Sequence, residues 1–116
     1  MVNSRSKGAG GERELAHELS RVLNCKARRG QQFSGSPDSP DIVTDLDGIH
    51  IECKRVERLQ LYDALKQSGR DAGPDEVPVV MHRKNREKWV VIVELDRLPE
   101  LAEKIVRQSA NAVEVF

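Results

Sequence analysis

Asp41, Glu52 and Lys54 are the residues whose types and spacing suggest chemistry. They fall in two short segments, 41–45 and 49–55, that alternate apolar with polar residues around Asp47-Gly48, a dipeptide suited to the positive φ angles of a two-residue hairpin turn. Pairing the hairpin so that Leu46 faces Ile49 sets Asp41 opposite Lys54. Strand side chains alternate between faces. Asp41, Val43 and Asp45 therefore share one face with His50, Glu52 and Lys54, while Ile42, Thr44, Leu46, Ile49, Ile51 and Cys53 share the other, which is core. Asp41 and Glu52 become diagonal neighbours, about 7–8 Å apart at Cα. Two carboxylates brought to about 4 Å repel by about 4 kcal/mol at an effective dielectric of about 20, so such a pair shares a proton or binds a cation. Hard oxygen donors without paired His or Cys favour Mg²⁺ or Mn²⁺ over zinc, and the backbone carbonyl of Cys53 is a further ligand candidate. Lys54 beside them would orient a water and stabilise charge growing on a phosphate. The same residues also fit a plain Lys54–Asp41 ion pair worth under about 1 kcal/mol. The hairpin alone leaves both readings open.

Other elements must position this face. Leu15, Ala16, Leu19, Val22 and Leu23 recur at helical spacing and predict a helix over 11–24. Gly8-Ala-Gly-Gly11 before it and residues 30–40 after it are rich in Gly, Ser and Pro and read as loops. On that helix Glu12 lands inside the apolar stripe, whereas Glu14 and Glu18 point away. A buried lone carboxylate costs several kcal/mol, so Glu12 either has a cation or a cleft beside it or sits wet in the first turn, favoured by the helix dipole. Leu61, Ala64, Leu65, Ser68 and Ala72 form a second helical stripe. Residues 77–82 and 88–94 are β-branched runs separated by charged 83–87. A last helix carries Leu98, Leu101, Ala102, Ile105 and Val106, with Pro99 in its first turn, and residues 113–116 could add a short strand. The order α-β-β-α-β-β-α implies an α/β domain, a mixed sheet flanked by helices.

With 116 residues the chain is one domain, 1–116, and with 38% apolar, 3% aromatic and 33% charged residues its core is small, which favours oligomerisation. No apolar run reaches the roughly 18 residues of a membrane span, and the start lacks a signal-peptide pattern. A soluble, intracellular, cytoplasmic protein without membrane partners is expected. Cys25 and Cys53 lack any metal or disulfide spacing and read as reduced core residues. The zero net charge hides an asymmetry: up to Ser36, seven Lys or Arg face three Glu. Arg5, Lys7, Arg13, Arg21, Lys26, Arg28 and Arg29 could form a patch for a polyanion, or a solvated face.

Pro40-Asp41 followed by Glu52-Cys53-Lys54 resembles the PD-(D/E)-x-K nuclease signature. Lys7-Gly8-Ala-Gly-Gly-Glu12-Arg13-Glu14-Leu15 is similar to the K-G-x-x-x-E-R-E-L opening of archaeal-type Holliday-junction resolvases and their phage relatives. Ser34-Gly35 before Pro40-Asp41-Ile42-Val43, Gln67 on its helix, Pro78-Val79-Val80 and Lys88-Trp89 extend the likeness over about 7–94. The resemblance implies a restriction-endonuclease-like αβββαβ core. It implies a symmetric homodimer with two Mg²⁺-dependent sites (Mn²⁺ substituting) that cuts branched DNA such as four-way junctions, in a bacterial, archaeal or phage-infected cell. Other nucleases of the fold, for repair, nicking or flap cutting, and a noncatalytic DNA-binding module are the alternatives. Glu12, Asp41, Glu52 and Lys54 take the catalytic positions. Asp41, Glu52, the Cys53 carbonyl and Glu12, directly or through water, take the metal, and Lys7, Arg13, Arg28 or Arg29, and Gln67 take DNA. Pro37-Asp38 duplicates Pro40-Asp41, but only Asp41 leads directly into the strand with the right parity. Residues 1–10 would form a flexible basic arm. His50 is expected to be a partly exposed neighbour of the acids, Gln67 to cap a neighbour or touch the site, Trp89 to pack in the core or a dimer, and Tyr62 to lie on the surface.

Overall fold

The computed structural model describes residues 4–30 and 41–113, with side chains for 9–30 and 41–108. In chain order it contains α1 (Ser4–Leu23), β1 (Ala27–Arg29), β2 (Ile42–Thr44), β3 (Ile49–Arg55), α2 (Leu61–Asp71), β4 (Val77–Arg83), β5 (Val90–Ile92), a 3-10 turn (Leu95–Arg97) and α3 (Leu98–Val113). The strands form one sheet in the order β1-β2-β3-β4-β5. All neighbours are antiparallel except β3 and β4, which α2 connects in parallel. The architecture is the expected mixed sheet flanked by helices. β1 was not legible as a strand. It is only Ala27-Arg28-Arg29, with both arginines exposed, and an edge strand of that composition carries no apolar alternation.

One face of the sheet carries the main core. Leu15, Ala16 and Leu19 of α1 and Leu101 of α3 pack there against Ile42, Ile51, Val77, Val79 and Met81, all 6% exposed or less. The other face lies under α2, whose Ala64 and Ser68 are buried and whose Ser68 Oγ donates to the Val79 carbonyl at 3.0 Å. β3 and β4 therefore have cover on both sides, as parallel neighbours in a sheet usually do.

Three sequence expectations change. First, α1 begins at Ser4, so the glycine stretch read as a loop, and residues 4–10 of the supposed flexible arm, are helical. Gly11 is buried at a point where a Cβ would sit 2.6 Å from Arg55 Cβ. Close packing of the helix on β3, not helix propensity, requires glycine there. Second, Ile42 stands opposite Ile51 rather than Cys53, and residues 45–48 link the strands in place of a two-residue turn. Leu46 folds inward to 9% exposure, its N–H donating to Thr44 Oγ1 at 3.1 Å, and Gly48 takes φ 83°. The shift is by two residues, so the alternation that puts Asp41 and Glu52 on one face survives it. Third, β5 is shorter than the run 88–94, and Val113 closes α3, with 114–116 outside the described residues. Pro99 lies in the first turn of α3 as expected. Among the described residues no helix is long and apolar enough to cross a membrane.

Candidate active site

Asp41 sits where β2 meets β3. Its N–H donates to the Ile51 carbonyl (3.1 Å), its carbonyl accepts from Gly30 N–H (2.8 Å), and its Oδ2 accepts from Cys53 N–H (2.8 Å). The Cys53 carbonyl leaves β3 on the same side as that N–H, as in any strand, and so faces Asp41. Asp41 and Glu52 lie close enough for their carboxyls to interact directly, closer than the diagonal contact expected. Burial, then the charge of Glu52, outweigh the Cys53 N–H and push the Asp41 carboxyl up to about 7. Glu52 is 4% exposed. Burial disfavours its ionisation, but hydrogen bonds with His50 and Asp41, and the positive charges of His50 and Lys54, hold it below its ordinary value. The pair thus carries one firm negative charge and one that titrates near neutrality.

Lys54 lies on the same face, and its Nζ donates to Gln67 Oε1 at 3.4 Å. Gln67, which the sequence left between capping and a contact near the site, makes that contact. One turn further along α2, Asp71 stands near His50. His50 is 1% exposed, not a partly exposed neighbour: its Nε2 is 3.2 Å from Glu52 Oε1 and its Nδ1 3.8 Å from Glu76 Oε1. Burial works against the imidazolium, yet Glu52, Glu76 and Asp71 raise its pKa overall. Donor atoms of His50, Glu52 and Asp71 all lie within 4.8 Å of one another, a spacing that could also hold a metal ion. The sequence placed His50 on this face but could not bury it, because its cover comes from α2.

Glu12 faces inward as projected, 14% exposed, and its Oε2 accepts from Arg29 Nε at 3.0 Å. Its charge raises the pKa of both Asp41 and Cys53, whose thiol burial pushes up to about 12. The strand missed in the sequence sorts the two arginines. Arg29 pairs with Ile42 and lies on the α1 face, whereas Arg28 pairs with Val43 and shares the face of Asp41. Arg13 is exposed. Lys7 lies in α1 with its side chain outside the described residues, and residues 31–40, Asp38 among them, also lie outside the described residues. Arg21 is paired with Glu18, and Lys26 donates its backbone N–H to Asp45 Oδ1 at the end of the sheet away from Asp41. Glu14, expected to point away, instead binds Arg83, lies 3.6 Å from Arg55 and accepts from Trp89 Nε1 at 3.1 Å. Trp89 packs against the core.

Two adjacent carboxylates, one driven toward protonation by burial and then by the other's charge, suit a hard divalent cation that would relieve their repulsion. Such a pair followed by lysine on the central strand of this mixed sheet defines a nuclease of the PD-(D/E)-x-K type. The chain matches the family described as "Phage putative PDDEXK endonuclease" over residues 3–115. It belongs to that family. A solved structure of Archaeoglobus fulgidus Hjc, a Holliday junction resolvase from an archaeal hyperthermophile, is similar with TM-score 0.56 and 28% identity, over 71% of this chain and 72% of that one. No sequence among the curated proteins matches.

Proposed function

We propose that this endonuclease is an Mg²⁺-dependent, structure-specific enzyme that acts as a homodimer and resolves four-way DNA junctions by paired phosphodiester hydrolysis. The observation that carries the reading is the direct pairing of Asp41 with Glu52, with Lys54 next along β3. The likeness to a Holliday junction resolvase supports the choice of substrate. A four-way junction needs two symmetric incisions, for which a two-fold dimer presenting two sites is suited.

Asp41, Glu52 and the Cys53 carbonyl would hold Mg²⁺, with Glu12 directly or through water; the bound ion would neutralise the phosphate and lower the pKa of a water. Lys54, aimed by Gln67, orients that water in line with the departing oxygen and stabilises charge on the phosphate. His50, whose Nε2 lies 3.2 Å from Glu52 Oε1, fixes the rotamer of Glu52. Arg28 faces the substrate side. Arg29 holds Glu12 in place, while Arg13 and Lys7 contribute phosphate contacts.

The test is a cleavage panel of four-way junction, flap, nicked and linear DNA with Mg²⁺ or Mn²⁺, run on wild type, Glu52→Gln and Lys54→Ala. Paired cuts in the junction are expected. Each substitution should slow cutting by at least about 10²-fold while junction binding in Ca²⁺ persists. Preferred cutting of flaps or nicks would replace the junction by another branched substrate. Binding without any metal-dependent cutting would leave only a DNA-binding module.

A further inference from the structure

We propose that the turn between β4 and β5, residues 83–89, is a contact site for the DNA phosphodiester backbone, supplied by Lys84, Arg86 and Lys88. The inference rests on the nuclease reading above and adds a surface that the basic amino-terminal third does not include.

Placement comes first. In the parallel β3–β4 pair Lys54 stands beside His82 and Arg55 beside Arg83. The turn therefore leaves the sheet at the end where Lys54 lies. Lys84 is two residues beyond that level, about 7 Å along the strand, which is about two base-pair steps of a duplex at roughly 3.4 Å each. A backbone that puts a phosphate at Lys54 brings its neighbours over this turn.

Charge comes second. The segment Arg83-Lys-Asn-Arg-Glu-Lys-Trp89 has four cations and one acid. Arg83 is taken by Glu14. Lys84, Arg86 and Lys88 are exposed and form no ion pair among the described residues. The nearby acids outside the turn serve other cations: Glu14 holds Arg83 and Arg55, and Glu57 lies 3.8 Å from Arg55, while Glu87 within the turn is exposed and in no ion pair among the described residues, leaving the segment 84–88 a surplus of two positive charges.

The turn is also anchored. Asn85 N–H donates to Glu57 Oε2 (2.7 Å), Arg55 Nη2 donates to Asn85 Oδ1 (3.0 Å), and Arg83 Nε donates to the Glu87 carbonyl (2.6 Å). Arg55 and Glu57 belong to the end of β3 and the residues just after it, the strand that carries Glu52 and Lys54. Arg86 occupies φ 67°, a left-handed conformation unusual for a residue with a side chain. Three unneutralised cations are thus held in fixed relation to the candidate site. Trp89, the aromatic of this segment, is engaged with Glu14, so the contact is with phosphates rather than with bases.

The test uses the full chain carrying Lys84→Ala, Arg86→Ala and Lys88→Ala together, with a charge-conserving Lys84→Arg/Arg86→Lys/Lys88→Arg control. Binding to a four-way junction and to a linear duplex is measured by anisotropy in Ca²⁺ from about 50 to 200 mM salt, where each phosphate contact contributes about 0.9 to the slope. The alanine variant should lose about 2 to 3 from the log–log salt slope on both DNAs and at least about tenfold in low-salt affinity, with the control at wild-type slope. Should the triple variant melt early, the single Lys84→Ala and Lys88→Ala variants carry the test, each losing about 0.9. An unchanged slope in the alanine variant, with wild type binding normally, overturns this inference and leaves the nuclease reading standing. Wild type failing to bind either DNA overturns the nuclease reading itself.

Discussion

Asp41→Asn should make the metal-free protein more stable at alkaline pH while destroying cutting. The Asp41 carboxyl is harder to ionise in the folded chain than in the unfolded one, its pKa moving from 3.8 to about 7. The folded state therefore gains from the protonated form, a gain complete below about 3.8 and lost as the pH rises through about 7. At about 1.4 kcal/mol per pH unit the full loss is at most about 4 kcal/mol, of which about 3 falls between pH 5 and pH 8.5. Asparagine keeps the acceptor for Cys53 N–H and removes the repulsion with Glu52. Glu52 is linked to Asp41, so the difference between the two curves reports the acid pair as a unit. Urea unfolding without divalent ions at about pH 5 and about pH 8.5 should show wild type losing up to about 3 kcal/mol more than the variant. Adding Mg²⁺ at the higher pH should then stabilise wild type and leave Asp41→Asn nearly unmoved. Parallel curves for the two proteins would refute the paired-carboxylate account.

His50→Ala should reduce cutting by about 10-fold or more and raise the Mg²⁺ concentration needed for half-maximal rate, because Glu52 loses the partner that fixes its rotamer; an unaltered metal titration would make His50 merely structural. Leu15→Ala, at 1% exposure in the main core, should lower stability by about 2–5 kcal/mol in denaturant melts. Gly11→Ala forces a Cβ within 2.6 Å of Arg55 and should cost about 1–3 kcal/mol, with a matching drop in melting temperature.

The acid pair was legible because strand alternation has a period of two, and the hairpin register moved by two residues. The register itself was not, since it depends on Leu46 turning inward and on β1 running alongside β2, and neither leaves a local pattern. The same hidden strand decided which face each of Arg28 and Arg29 occupies. His50 and Gln67 could be assigned to the right surfaces, but the helix that buries one and lets the other touch Lys54 is placed by the parallel crossover, a tertiary arrangement. At Gly8–Gly11, intrinsic preference argued for a loop and the seam against Arg55 overrode it. Glu14 was read as solvent-facing because no periodicity announces Arg83 and Trp89, 69 and 75 residues away.

Glu52 and Lys54 are built into the sheet's middle strand, hemmed in by helices above and below, whereas the edge strand β1 and the turn between β4 and β5 carry arginines and lysines open to solvent. On the proposed reading, cutting and backbone contact would thereby be housed in separate parts of one small molecule. Descendants, or designers, could swap the rim cations to recruit differently shaped polynucleotides without disturbing the hydrolytic machinery. Any change in the middle would jeopardise folding and turnover at once.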